Sequence, residues 1–129
     1  MSGRYLLDTN IIIALFANES TVLDQLHTAE EVFIPCIAIG ELYYGARKSV
    51  RVNENLQRID EFVASNFVLI CDSETARKYG DIKDELRKKG HPIPENDIWI
   101  GALAAQHDLV LVSRDLHFQE IAELNIESW

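Results

Sequence analysis

Four acids sit at related places in this chain. Asp8 closes the apolar run Tyr5-Leu6-Leu7, and a second apolar run, Ile11 to Phe16, follows almost at once. Glu41 lies inside the apolar and small stretch Ile37-Ala38-Ile39-Gly40-Glu41-Leu42. Asp97 precedes Ile98-Trp99-Ile100-Gly101-Ala102-Leu103-Ala104-Ala105, and Asp115 follows the run Leu109 to Ser113 by two residues. Carboxylate oxygens are the ligands that hard cations take, and magnesium is commonly held by a few carboxylates together with waters and substrate phosphate. Two such ions can activate a water and neutralise the leaving oxygen in phosphodiester hydrolysis. Four like charges brought together without a cation would push at least one carboxyl above its ordinary pKa. Asn10 and Ser113 stand next to these acids, where each can orient a carboxylate or a bound water.

Each acid also has an ordinary structural role open to it. Asp8 can cap the helix that follows. Asp97 suits the first turn of a helix, where it complements the dipole, and Asp115 suits a turn. Glu41 is harder to explain that way, because a charge in an apolar helix start costs desolvation unless it is paired or metal-bound. Its plain alternatives are a solvent-facing position or an ion pair with Arg47 or Arg4. Turn and cap hydrogen bonding likewise remains open for Asn10 and Ser113.

The elements that must position these groups alternate. Short β-like runs end at Asp8 and span Val32 to Pro35, Phe67 to Cys71 and Leu109 to Ser113, and Ile126 starts a last one. Between them lie helical patterns: Val22 to Ala29, Ile39 to Lys48, a helix carrying Leu56, Ile59, Phe62 and Val63, one from Asp72-Ser73 to Gly90, and one from Asn96-Asp97 to about His107. Glu41 falls early on its helix. Strands alternating with helices predict βαβ units around a mainly parallel central sheet of four to five strands, a three-layer α/β/α sandwich. In such a sheet the strand carboxyl ends and the starts of the following helices share one edge, so all four acids can converge there.

Composition fits a globular protein. The 129 residues are 47% hydrophobic and 9% aromatic, enough for a real core and consistent with one domain spanning 1–129. No apolar run approaches the ~20 residues of a membrane helix, and the first residues lack a signal-peptide pattern, so the expected location is the cytoplasm. Cys36 and Cys71 are far apart in sequence and read as separate small buried thiols. The histidines at 27, 91, 107 and 117 form no zinc-spaced pair with cysteine. The chain contains neither a G-x-x-x-x-G-K phosphate loop nor a G-x-S-x-G elbow. The net charge of −9 opposes a general nucleic-acid footprint, and a local one is left to Arg47, Lys48 and Arg51, candidates for RNA phosphate contact or simply a solvated helix end.

Together these residues resemble the PIN-domain ribonucleases, and specifically the VapC-type toxins of bacterial toxin–antitoxin pairs. The resemblance rests on Leu6-Leu7-Asp8-Thr9-Asn10, Glu41-Leu42-Tyr43-Tyr44-Gly45, Asn96-Asp97-Ile98-Trp99-Ile100 with its Ala-rich continuation, and Val112-Ser113-Arg114-Asp115 followed by His117-Phe118. It covers essentially the whole chain. It implies a PIN-like fold, cleavage of RNA dependent on magnesium or manganese, inhibition by a VapB-type antitoxin, and a homodimer. Asp8, Glu41, Asp97 and Asp115 take the family's catalytic and metal-binding acidic positions, and Asn10 and Ser113 its supporting polar ones. The chain departs from the pattern at Cys36 and Ala38, at Gly101, and at Arg114. Two other readings compete: a receiver-like phospho-signalling module, with Asp72 after the third strand as acceptor, and a PIN fold that binds RNA or protein without turnover.

Overall fold

A computed structural model describes residues 3–129. Strand β1 is Arg4–Leu7, β2 Glu31–Pro35, β3 Phe67–Leu69, β4 Val110–Val112 and β5 Ile126–Glu127. The helices are α1 Thr9–Phe16, α2 Ser20–Thr28, α3 Cys36–Arg47, α4 Val52–Ala64, α5 Ser73–Lys89 and α6 Glu95–His107, with a 3-10 helix at Leu116–Glu120. The five strands form one sheet in the order β3-β2-β1-β4-β5, every pairing parallel. The expected α/β/α sandwich is therefore what the chain forms.

Successive side chains of a strand point to opposite faces, and β1 uses both. Leu6 joins a core with Ile82, Leu86, Leu103, Leu111 and Phe118, beneath α5 and α6. Leu7 joins the other core with Ile11, Ile34, Leu42, Ile59 and Val112, beneath α1, α3 and α4. Burying one such side chain contributes about 1.5–3 kcal/mol, so β1 is anchored from both layers. Because both faces are covered, β1 and β4 read as continuous apolar runs rather than alternating ones.

The helix boundaries follow local chemistry. At the start of α5 the Asp72 carboxylate accepts from the Thr75 backbone N–H at 3.0 Å, and the Thr75 hydroxyl oxygen accepts from the Asp72 N–H at 3.0 Å. This is a capping box with Thr at its third position. Gly90 stops α5 at φ 70°, with the His91 N–H returning to the Leu86 carbonyl. The chain then reverses, and α6 lies antiparallel to α5, with Tyr79 stacked on Trp99 at 4.1 Å between ring centroids. Gly101 lets α6 approach the C-terminal segment, since a Cβ there would meet Ile121 Cδ1 at 2.9 Å.

Two boundaries differ from the expectation. Helix α3 begins at Cys36, directly after Pro35, rather than at Ile39, which moves Glu41 into the second turn. Strand β3 ends at Leu69 rather than Cys71: it is an edge strand, and Phe67 and Ile70 are largely exposed. Among the described residues no helix is long and apolar enough to cross a membrane.

Candidate metal centre

The strand order fixes where a site can form. From β1 the chain adds β2 and β3 on one side, then crosses back to add β4 and β5 on the other. In an open parallel sheet a crevice opens at the carboxyl ends of the two strands flanking that reversal, here β1 and β4. Asp8 follows β1 directly, and its backbone N–H donates to the Val112 carbonyl at 2.9 Å, tying the two strand ends together. Ser113 follows β4 directly.

A web of polar contacts holds Asp8. Its Oδ1 accepts from the Thr9 N–H at 2.8 Å, and its Oδ2 accepts from the Ser113 hydroxyl at 2.7 Å and from Asn10 Nδ2 at 3.4 Å. The Ser113 hydroxyl oxygen in turn accepts from the Asp115 N–H at 3.0 Å, and Asn10 Oδ1 from the Arg114 N–H at 3.2 Å. Asn10 and Ser113 thus both donate to the same Asp8 oxygen. Asp8 also caps α1: its side chain accepts from Thr9, and its carbonyl accepts from Ile11 and Ile12. The two roles are compatible because the carboxylate keeps lone pairs on both oxygens.

The remaining acids close the cluster. Glu41 Oε1 accepts from the Thr9 hydroxyl at 2.7 Å, so neither Arg47 nor Arg4 accounts for it. Asp97 stands in the first turn of α6, nearly buried, with Oδ2 3.1 Å from His117 Nδ1. Asp115 caps the 3-10 helix by accepting from the His117 N–H at 3.0 Å, and the same carboxylate oxygen lies 3.0 Å from His117 Nδ1. One ligand atom from each of Asp97, Asp115 and His117 falls within 4.8 Å of the others.

The electrostatics record the crowding. Burial raises the Asp8 carboxyl above its usual range. The Ser113 and Thr9 hydrogen bonds oppose that, and the Asp97 and Glu41 charges add to it. Asp97 is also raised, first by burial; the His117 hydrogen bond opposes, and Asp115 and Glu41 add. His117 is raised chiefly by its bond to Asp97. The charges of Asp97 and Glu41 thus reach Asp8, and those of Asp115 and Glu41 reach Asp97. An O-rich donor set of mutually repelling carboxylates, two of them nearly buried, is what a divalent cation neutralises. The residues present fit such an ion.

Thr9 and His117 were not singled out from sequence. Thr9 lies within Asp8-Thr9-Asn10 and aims its hydroxyl at Glu41; His117 lies two residues after Asp115. The other predicted groups lie elsewhere. Arg47 ends α3 and Lys48 follows, about 9 and 10.5 Å along the helix axis from Glu41; Lys48 sits over the Tyr44 ring at 4.4 Å. Arg51 pairs with Glu54 at the start of α4. Asp72 serves as a helix cap, bound also by Gln106 at 3.0 Å, and these hydrogen bonds hold its carboxyl below the ordinary range. Cys36 and Cys71 are not separate buried thiols. The two are only partly buried and interact; burial, then Cys36, pushes the Cys71 thiol up to about 11. Parallel pairing of β2 with β3, Pro35 opposite Leu69, brings them together.

Comparison with known proteins gives one family. The PIN domain model matches residues 5–124. The chain is 36% identical over 129 residues to ribonuclease VapC2 of Haemophilus influenzae, and 33% identical over 130 residues to the tRNA(fMet)-specific endonuclease VapC of Salmonella typhimurium; each match covers 98% of both chains. Among solved structures it is similar to DNA-bound VapBC from Salmonella typhimurium, with a TM-score of 0.90 and 31% identity, covering 100% of this chain and 99% of that one.

Proposed function

Since this chain belongs to the PIN-domain family, in its VapC ribonuclease branch, we propose that it is a divalent-cation-dependent endoribonuclease acting as the toxin of a toxin–antitoxin pair. The observation that carries this reading is the pair of buried carboxyls, Asp8 and Asp97, by the β1–β4 ends, both raised by burial, with Asp97 and Glu41 adding at Asp8 and Asp115 and Glu41 adding at Asp97. We assign these four as catalytic and metal-holding residues of a single nuclease domain, with Mg2+ or Mn2+ as the ion. When bound, the cation supplies the positive charge that favours ionisation of an attacking water and neutralises negative charge developing on an RNA phosphodiester.

The chain's own groups prepare that chemistry. Ser113 donates to Asp8 Oδ2 and so favours the ionised, ligating form. Thr9 fixes Glu41 through Oε1 and leaves Oε2 free to ligate. Asn10 bridges Asp8 and the Arg114 backbone, holding the β1 and β4 ends at constant spacing. Arg47, Lys48 and Arg51 are assigned to RNA phosphate contact, offsetting the acidic surface locally. The assigned partner is a VapB-type antitoxin, since similar chains occur in VapBC complexes. A cavity of about 240 Å³ beside Thr9 and Glu41, walled by Ile13, Leu42 and Ile59, is the surface such a partner would cover to shut the site. A homodimer and a cytoplasmic location complete the assignment.

Incubating purified protein with total RNA tests the reading. Cleavage in magnesium or manganese chloride that excess EDTA stops is the expected result. Undiminished cleavage in EDTA would overturn it.

A further inference from the structure

Among the described residues, His117 is the one nitrogen ligand that groups with the acids, and it is built into the cluster from two sides. Its backbone N–H donates to Asp115, which fixes the residue relative to that carboxylate. Its Nδ1 lies 3.1 Å from Asp97 Oδ2 and 3.0 Å from Asp115 Oδ1, so one ring atom faces both acids. Phe118, fully buried in the α5–α6 core, anchors the backbone next to it. Nε2 is left without a hydrogen-bond partner among the described residues, and the ring is about half exposed. Metal–ligand bonds of about 2.1 Å meeting at right angles put neighbouring ligands about 3.0 Å apart. The two spacings around Nδ1 match that value. A proton shared with the acids spans such gaps, and an ion can take the proton's place.

We propose that His117 is a nitrogen ligand of the divalent cation, joining Asp97 and Asp115, and that it sets which ion the site prefers. The inference rests on the metal-dependent reading above. Imidazole favours borderline transition ions, whereas magnesium, a hard ion, is served as well by carboxylate and water. His117 therefore strengthens manganese binding and adds little to magnesium binding. This makes it a specificity-determining residue for the ion. Asp8 and Glu41 offer oxygen donors only.

The test uses the whole chain loaded with Mn2+ and pulsed electron paramagnetic resonance, which detects 14N coupled to the manganese spin. Wild type should show the nitrogen modulation, and H117A should lose it while His27, His91 and His107 remain. By titration calorimetry H117A should bind Mn2+ about tenfold more weakly, with Mg2+ affinity changed less than about twofold. The conservative H117N, which keeps a polar side chain without the imidazole nitrogen, should behave as H117A. Manganese that binds wild type with no nitrogen modulation overturns this inference and leaves the acidic site standing, as does an H117A that binds both ions as wild type does. Failure of wild type to bind either ion overturns the inference and the metal-dependent reading together.

Discussion

Replacing Ser113 with Ala removes one hydroxyl and tests how the site is held. The Ser113 side chain is 3% exposed; it donates to Asp8 Oδ2 at 2.7 Å and accepts from the Asp115 N–H at 3.0 Å. A hydrogen bond to a charged group contributes about 1.5–3 kcal/mol, and truncation also leaves the buried carboxylate short of a donor. Unfolding entropy near Tm is about 2.1 cal/mol/K per residue, or about 0.27 kcal/mol/K over this chain. The loss then converts to a Tm lowered by roughly 5–11 °C, at the lower end if Asn10 Nδ2 closes in from its 3.4 Å. The effect has a sign in pH. Ser113 stabilises the ionised form of Asp8, so the gap between wild type and variant should be wider at pH 7.5 than at low pH, where Asp8, its carboxyl raised by burial, has taken up its proton. Scanning calorimetry without added metal measures both. A Tm within about 2 °C of wild type at pH 7.5, or a gap that narrows as pH rises, would refute the assignment of Ser113 as the support of Asp8.

Further outcomes follow from the same contacts. The folded-state pKa values of Asp8 and Asp97 lie above their unfolded ones, so metal-free stability falls as pH rises through that window; His117, also raised, contributes stability fully present below about pH 6.5 and lost as pH rises through its folded pKa. Millimolar Mg2+ or Mn2+ should therefore raise Tm, and more at pH 8 than at pH 5; thermal-shift curves with the opposite order would count against ionised acids as ligands. Asp72→Ala should cost about 0.5–2 kcal/mol through loss of the α5 cap yet leave RNA cleavage per folded molecule unchanged. Loss of cleavage in a folded Asp72→Ala protein would give Asp72 a role beyond capping. Replacing Arg47, Lys48 and Arg51 together with Gln should weaken RNA binding and flatten its salt dependence by about three charges, which a salt series of binding measurements checks.

Much of this was legible in the sequence, for identifiable reasons. Strands β1 and β4 are buried on both faces, so they appear as apolar runs that stop at Asp8 and Ser113. Gly90 and the Asp72-Ser73 start mark α5 because left-handed backbone and capping need those residue types. The edge strand was overextended, because Ile70 and Cys71 continue an apolar run that no longer has a partner strand to pair with. The α3 start was set late, because Pro35 supplies no side-chain cap to signal it. Contacts distant in sequence were the least readable. Nothing local announces that Thr9 reaches Glu41, that His117 turns back to Asp97, or that Cys36 meets Cys71 across the β2–β3 pair. Arg114, a departure from the family pattern, binds Glu19 and the Trp129 carbonyl, so it serves the fold around the site rather than the acids themselves.

The central claim is that the acids at the β1–β4 crevice perform RNA hydrolysis with a divalent cation. Asp97→Asn tests it most directly, because the change keeps the shape of the side chain, removes its charge and leaves the α6 core intact. Cleavage of purified RNA by wild type and D97N, at equal folded concentration in Mg2+ and in Mn2+, is the measurement. The account predicts rapid cleavage by wild type and loss of at least about a hundredfold in D97N, the scale of losing a principal stabiliser of transition-state charge. Equal rates for the two proteins would contradict it.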